Sequence, residues 1–102
     1  MSDDALETVE GRDIGSGISI IRERTDVEGS GPRLHRHPYG ETFVILRGRA
    51  RFTIGAAERE GGAGEVLVVP ADTPHKFAVI GPEVYEAVHI HESDHFITEW
   101  LE

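Results

Sequence analysis

A chain of 102 residues with 38% hydrophobic residues has room for one compact core and none for a second domain. Its lack of cysteine excludes a disulfide framework, a thiolate metal site and a cysteine nucleophile, so any metal must be met by nitrogen and oxygen. The formal charge of -9 argues against nucleic acid, whose phosphates are bound by clustered lysine and arginine, and suits a neutral or cationic small molecule or an anion held directly by a metal.

The polar start, residues 1–12, is expected to be a flexible segment, with a single domain over 13–102. It begins Met1-Ser2-Asp3-Asp4-Ala5, acidic where a secretion signal is basic, and no apolar stretch approaches the roughly 20 residues of a membrane span. A cytoplasmic protein without a membrane partner is expected.

From there the apolar runs are short and rich in valine, isoleucine and phenylalanine, the composition of strands. Strands are predicted near 13–25, 33–37, 41–47, 49–55, 57–60, 65–69, 75–80 and 84–91. Turn residues stand between them: Gly29-Ser30-Gly31-Pro32, Pro38-Tyr39-Gly40, Gly48, Gly61-Gly62-Ala63-Gly64, Pro70-Ala71-Asp72-Thr73-Pro74 and Gly81-Pro82. Many short strands with tight turns predict an all-β sandwich or barrel.

The third of these strands, "TFVILR", is apolar on both faces, with Phe43 and Ile45 on one and Val44 and Leu46 on the other. Such a strand is usually covered on both sides. The second cover is either a partner subunit, giving a homodimer, or the C-terminal tail folded back over Val44 and Leu46. The tail itself, "DHFITEWLE", fits a short helix or a strand, including one swapped with a partner. Arg47, Arg49 and Arg51 read as an exposed edge that discourages strand pairing, or as a site for an anionic substrate.

The densest chemistry lies in "LHRHPYGE", residues 34–41. Residues two or four apart in an extended chain point the same way, so His35, His37 and Glu41 converge if the backbone stays extended across Pro38-Tyr39-Gly40. In a helix His35 and His37 would diverge by roughly 200°, and Pro38 would break it. Two imidazoles and a carboxylate resemble a non-haem iron triad, and a further nitrogen would leave open positions on an octahedron. His75, placed by the rigid turn 70–74 at the start of "HKFAV", is the candidate for that nitrogen. Imidazole and carboxylate ligands suit one divalent transition metal: iron, manganese, nickel, zinc or copper.

These positions resemble the cupin superfamily, in its small single-domain form of the cupin 2 conserved-barrel type. Gly29, His35, His37, Glu41 and Gly48 match the fixed positions of the first cupin motif, and Gly64, Pro70 and His75 follow the second. Asp72 stands where the family usually has glycine, and Val79 where it often has asparagine. The resemblance implies a small antiparallel jelly-roll β-barrel with His35, His37, Glu41 and His75 as metal ligands. It implies a protein that acts on or binds a small organic molecule, a dioxygenase-like enzyme being one form. A non-catalytic sugar- or metabolite-binding protein and a sugar isomerase or epimerase are the alternatives.

On the last long strand, Tyr85, Ala87, His89 and His91 share one parity, and Val84, Glu86, Val88 and Ile90 the other. Burying Glu86 unpaired is costly, which favours the histidine face inside, while the valines favour the reverse. With the histidine face inside, Tyr85 and His89 are candidates to line the cavity as proton donor or acceptor. Tyr39 and Phe43 beside the proposed ligands would wall a pocket or join the core, and His95 is expected in solvent.

Overall fold

The computed structural model describes residues 4–102 as two facing five-stranded antiparallel sheets, with no α-helix among the described residues. The first sheet runs β1 (Ala5–Val9), β2 (Ser19–Thr25), β9 (Tyr85–His91), β4 (Glu41–Arg47) and β7 (Val66–Val69). The second runs β10 (Glu99–Trp100), β3 (His35–Arg36), β8 (His75–Ile80), β5 (Arg49–Ile54) and β6 (Ala57–Gly62). This is the expected jelly-roll arrangement.

The inward face of each central strand is set by alternation. Phe43 and Ile45 on β4, Phe52 on β5, Leu67 and Val69 on β7, Phe77 and Val79 on β8 and Tyr85 and Ala87 on β9 form one buried cluster. Phe43 stands edge-on to Phe52 at 5.1 Å and to Phe77 at 5.9 Å. Fully burying an aromatic of this size stabilises the fold by about 2–3 kcal/mol. Val79, the departure from the motif's asparagine, is an ordinary member of this core. Asp72, the other departure, adopts φ 62 and its amide donates to the His37 carbonyl at 2.7 Å, so aspartate fills the left-handed turn that glycine would take.

Three expectations are corrected. Residues 1–12, expected as a flexible segment, contain β1 and most of a 3-10 helix (Gly11–Asp13); Met1, Ser2 and Asp3 lie outside the described residues. β1 pairs with β2 from Ala5↔Arg24 to Val9↔Ile20, so it is held through its backbone and needs no apolar alternation. The strand predicted over 13–25 begins only at Ser19. Arg49 and Arg51 are not on an edge, because β5 is flanked by β6 and β8; Arg49 pairs with Glu60, and Arg47 on β4 faces Glu86 at 3.9 Å.

The tail resolves as a strand, not a helix. β10 pairs with β3 of its own chain, Trp100 opposite His35, and so does not cover Val44, which is half-buried, or Leu46, which is exposed.

Gly48 closes the turn between β4 and β5 at φ 74, and a Cβ there would lie 2.3 Å from the Val84 carbonyl oxygen. Gly15 has the same φ with nothing within 4 Å. Gly48→Ala is therefore expected to cost roughly 2–4 kcal/mol in urea unfolding, and Gly15→Ala only about 1. Equal losses would refute the close approach as the cause.

Candidate metal centre

Several strand ends meet at one end of the two sheets. His35 lies on β3 opposite His75, the first residue of β8, and Glu41, the first residue of β4, lies opposite His91, the last residue of β9. His37 follows β3 directly, its carbonyl fixed by the amide of Asp72. His35, His37, Glu41 and His75 are all buried, and each offers a ligand atom within 4.8 Å of the other three. Donors on opposite sides of an octahedral metal stand about 4.2 Å apart, given bonds of about 2.1 Å.

The proton positions follow from the partners. Nδ1 of His35 faces the Arg33 carbonyl at 2.7 Å, Nδ1 of His37 that of Ile97 at 2.8 Å, and Nδ1 of His75 that of Thr73 at 2.9 Å. A carbonyl only accepts, so each Nδ1 carries the proton and donates it. The three Nε2 atoms are then free to present lone pairs, as metal-ligating histidines do when a carbonyl fixes their tautomer.

Nε2 of His37 and Nε2 of His75 each lie 3.1 Å from the same oxygen, Glu41 Oε1. Two neutral imidazoles with Nδ1 protonated would point lone pairs at an anion. That is relieved either by protonating both rings or by one cation among the Nε2 atoms and Oε1. Ring centroids of His35, His37 and His75 are only 4.3–5.1 Å apart, so crowding imidazolium charges there is costly. His37 Nε2 is also buried without a hydrogen-bond partner. The donor set thus fits a single divalent transition metal, with two octahedral positions beyond its four donors.

Burial opposes both charges here with different outcomes. It pushes the His35 pKa down, helped by His75 and His37 and opposed by the bond to Arg33, which favours the neutral ligand form. It pushes Glu41 up, but hydrogen bonds from His37, His75 and His91, when those rings carry the proton at Nε2, outweigh burial and hold the carboxyl well below the usual range.

The C-terminal segment covers this end. Ile97 accepts from His37, Phe96 packs edge-on to His91 at 4.9 Å, and Trp100 lies 5.1 Å from His35. The segment is tied down where the Phe96 amide donates to Glu10 at 2.9 Å and the Leu101 amide to the Leu34 carbonyl at 2.9 Å.

The family model for the cupin domain matches residues 22–91. The chain belongs to the cupin family. Among curated proteins this cupin is similar to an uncharacterised protein of Streptomyces coelicolor, 28% identical over 88 residues that cover 79% of this chain and 84% of that one. Among solved structures, an alanine mutant of oxalate decarboxylase from Bacillus subtilis superimposes with a TM-score of 0.83 at 24% identity, over 96% of this chain. A structure of the same enzyme, from work on its Mn(II) centres, gives 0.82 at 24% identity and the same coverage. This cupin spans only 28% of the length of those chains, and the likeness supports the fold.

Of the other candidates, Tyr85 and His89 are turned inward, 0% and 3% exposed, with the Tyr85 hydroxyl 3.4 Å from His89 Nε2. The histidine parity of β9 is therefore the inner one, and Glu86 on the outer face meets Arg47. Tyr85 lies six residues along β9 from His91, about 20 Å by strand rise. Phe43 joins the core while also standing 4.6 Å from His89. His95 is half-buried, with its side chain 41% exposed, and pairs with Asp94 at 2.6 Å.

His91 is what sequence reasoning missed: its Nε2 lies 3.1 Å from Glu41 Oε2 and its Nδ1 2.6 Å from the Tyr39 hydroxyl. Its parity with His89 was legible. That His91 rather than His89 reaches Glu41 depends on the register Glu41↔His91, which pattern alone does not give.

Proposed function

We propose that this cupin holds one divalent transition metal through Nε2 of His35, His37 and His75 and Oε1 of Glu41, and that the site takes a small organic molecule. The observation that carries the reading is the orphaned, buried His37 Nε2 inside a ring of donors whose tautomers are already fixed. When bound, such a metal supplies Lewis acidity or oxygen activation at its open positions. The chain's own residues fix the rings and exclude bulk water, since the four ligands are 2–7% exposed.

Dioxygenase-like chemistry on an enolic, phenolic or keto-acid substrate is the reaction to test first. Protein loaded with Fe(II) is expected to consume oxygen with at least one member of a panel of catechols, flavonols and keto acids. Oxalate belongs in a parallel assay for carbon dioxide release, given the fold shared with the oxalate decarboxylases. The close cover by Phe96, Ile97 and Trp100 favours a second reading, a binding protein without turnover. Ligand-induced shifts without oxygen uptake or product would select it.

We further propose a homodimer joined through the outer face of the first sheet. Val66 and Val68 on β7 and Leu46 near the end of β4 are 52–59% exposed there. An apolar strip of this kind on a sheet face is typical of an interaction surface. Wild type is expected to sediment as a dimer and Val68→Lys as a monomer with its metal retained; a monomeric wild type would remove the proposal.

A further inference from the structure

The four histidines around Glu41 do not have the same partners. His35, His37 and His75 each turn Nδ1 to a backbone carbonyl, which can only accept. His91 turns Nδ1 to the Tyr39 hydroxyl at 2.6 Å. That hydroxyl accepts the Ile97 amide at 3.3 Å and has its own proton to donate to His91 Nδ1. If the hydroxyl donates there, the His91 proton sits on Nε2, and this nitrogen is 3.1 Å from Glu41 Oε2, the carboxylate oxygen that His37 and His75 do not face.

We propose that Tyr39 and His91 form a positioning pair for Glu41, with His91 as its Nε2–H tautomer holding Oε2 so that Oε1 alone faces the metal. The pair gives His91 a proton where the three ligands have lone pairs, and so marks it as a support and not a fifth ligand. His91 Nε2 lies within reach of Oε2 but off the line of a straight hydrogen bond, and it has no other partner. The ring is 3% exposed and wedged between His37 at 4.7 Å and Phe96 at 4.9 Å, so it cannot turn to find one. Ile97 joins the two layers, its carbonyl accepting from His37 and its amide donating to Tyr39. Groups that orient a metal's ligands in this way typically contribute about 10–100-fold in metal affinity.

The inference rests on the metal reading above, and the test separates the two. In Zn(II)-loaded protein, long-range proton–nitrogen-15 correlation should show His35, His37 and His75 bound through Nε2 with Nδ1 protonated. His91 should show a protonated Nε2 and an unliganded Nδ1. Fewer than three metal-bound imidazoles would overturn the metal site itself. Three bound imidazoles with a metal-bound or Nδ1-protonated His91 would overturn the positioning pair alone. By chelator competition, His91→Leu should weaken Zn(II) binding about 10–100-fold, and His91→Gln, which keeps an N–H for Oε2, should recover most of that loss. Unchanged affinity in His91→Leu, or no recovery in His91→Gln, would contradict the pair.

Discussion

Glu41→Ala is expected to abolish stoichiometric metal binding while leaving a folded barrel. Glu41 is the one anion among the four ligand residues, and both His37 and His75 converge on its Oε1 at 3.1 Å. Removing it leaves imidazoles that repel one another when protonated and offer no charge to a divalent cation. His35→Ala and His75→Ala should follow, each deleting a nitrogen whose lone pair a backbone carbonyl has already aimed. Losses of at least 100-fold in affinity are expected, on the order of 3 kcal/mol or more. Metal content equal to wild type in Glu41→Ala, measured by elemental analysis, would show that the carboxylate is not a ligand.

Acid is expected to act twice, first on the metal and then on the fold. A histidine must be neutral to bind, so protons compete for the three Nε2 atoms and metal occupancy should fall as pH is lowered towards 4. Retention at pH 4 would contradict a histidine-dominated site. The second effect belongs to His89, whose pKa burial pushes down to about 4. Unfolded, it titrates near its ordinary value of about 6.5. Above that value neither state binds the proton and stability is complete. As pH falls from about 6.5 towards 4 the unfolded chain takes up a proton that the folded one refuses, and stability drops by about 3 kcal/mol. Urea unfolding of metal-free protein should show this slope, and His89→Gln should flatten it. Parallel slopes in the two proteins would mean that His89 is not the group responsible.

Much of the site was legible because its chemistry is local in sequence. Spacing placed His35, His37 and Glu41 together on the premise of extended backbone across 38–40, but the chain bends at Pro38 and Tyr39 and Glu41 opens β4 in the other sheet, so the three meet because the sheets face each other; the turn at 70–74 made His75 the natural fourth member. Side-chain alternation did the same for the core, where Phe43 and Ile45 point inward and Leu46 outward. What could not be read depended on pairing between distant strands. β1 is held by backbone bonds to β2 and carries no apolar signature in its mostly exposed residues. The tail's stripe fitted a helix or a strand equally well until β10 paired with β3. Arg49 and Arg51 suggested an edge because their charge was visible and the neighbours of β5 were not.

His91 illustrates the same limit at the site itself. Parity placed it on the inner face with His89, two residues away, and no pattern distinguishes a histidine opposite Glu41 from one opposite Phe43. The one opposite Glu41 meets a carboxylate and Tyr39; the one opposite Phe43 lies among aromatic rings with Tyr85. Identical side chains two positions apart thus take on unlike roles, and both follow from strand register.

The central claim is that His35, His37, Glu41 and His75 hold one metal ion. It is tested most directly by elemental analysis of the wild-type protein, purified without an affinity tag and, where needed, reconstituted with Mn(II), Fe(II) or Zn(II) before desalting. The expected result is close to one equivalent of a divalent transition metal per chain. A protein that retains none of the three ions after reconstitution would contradict it.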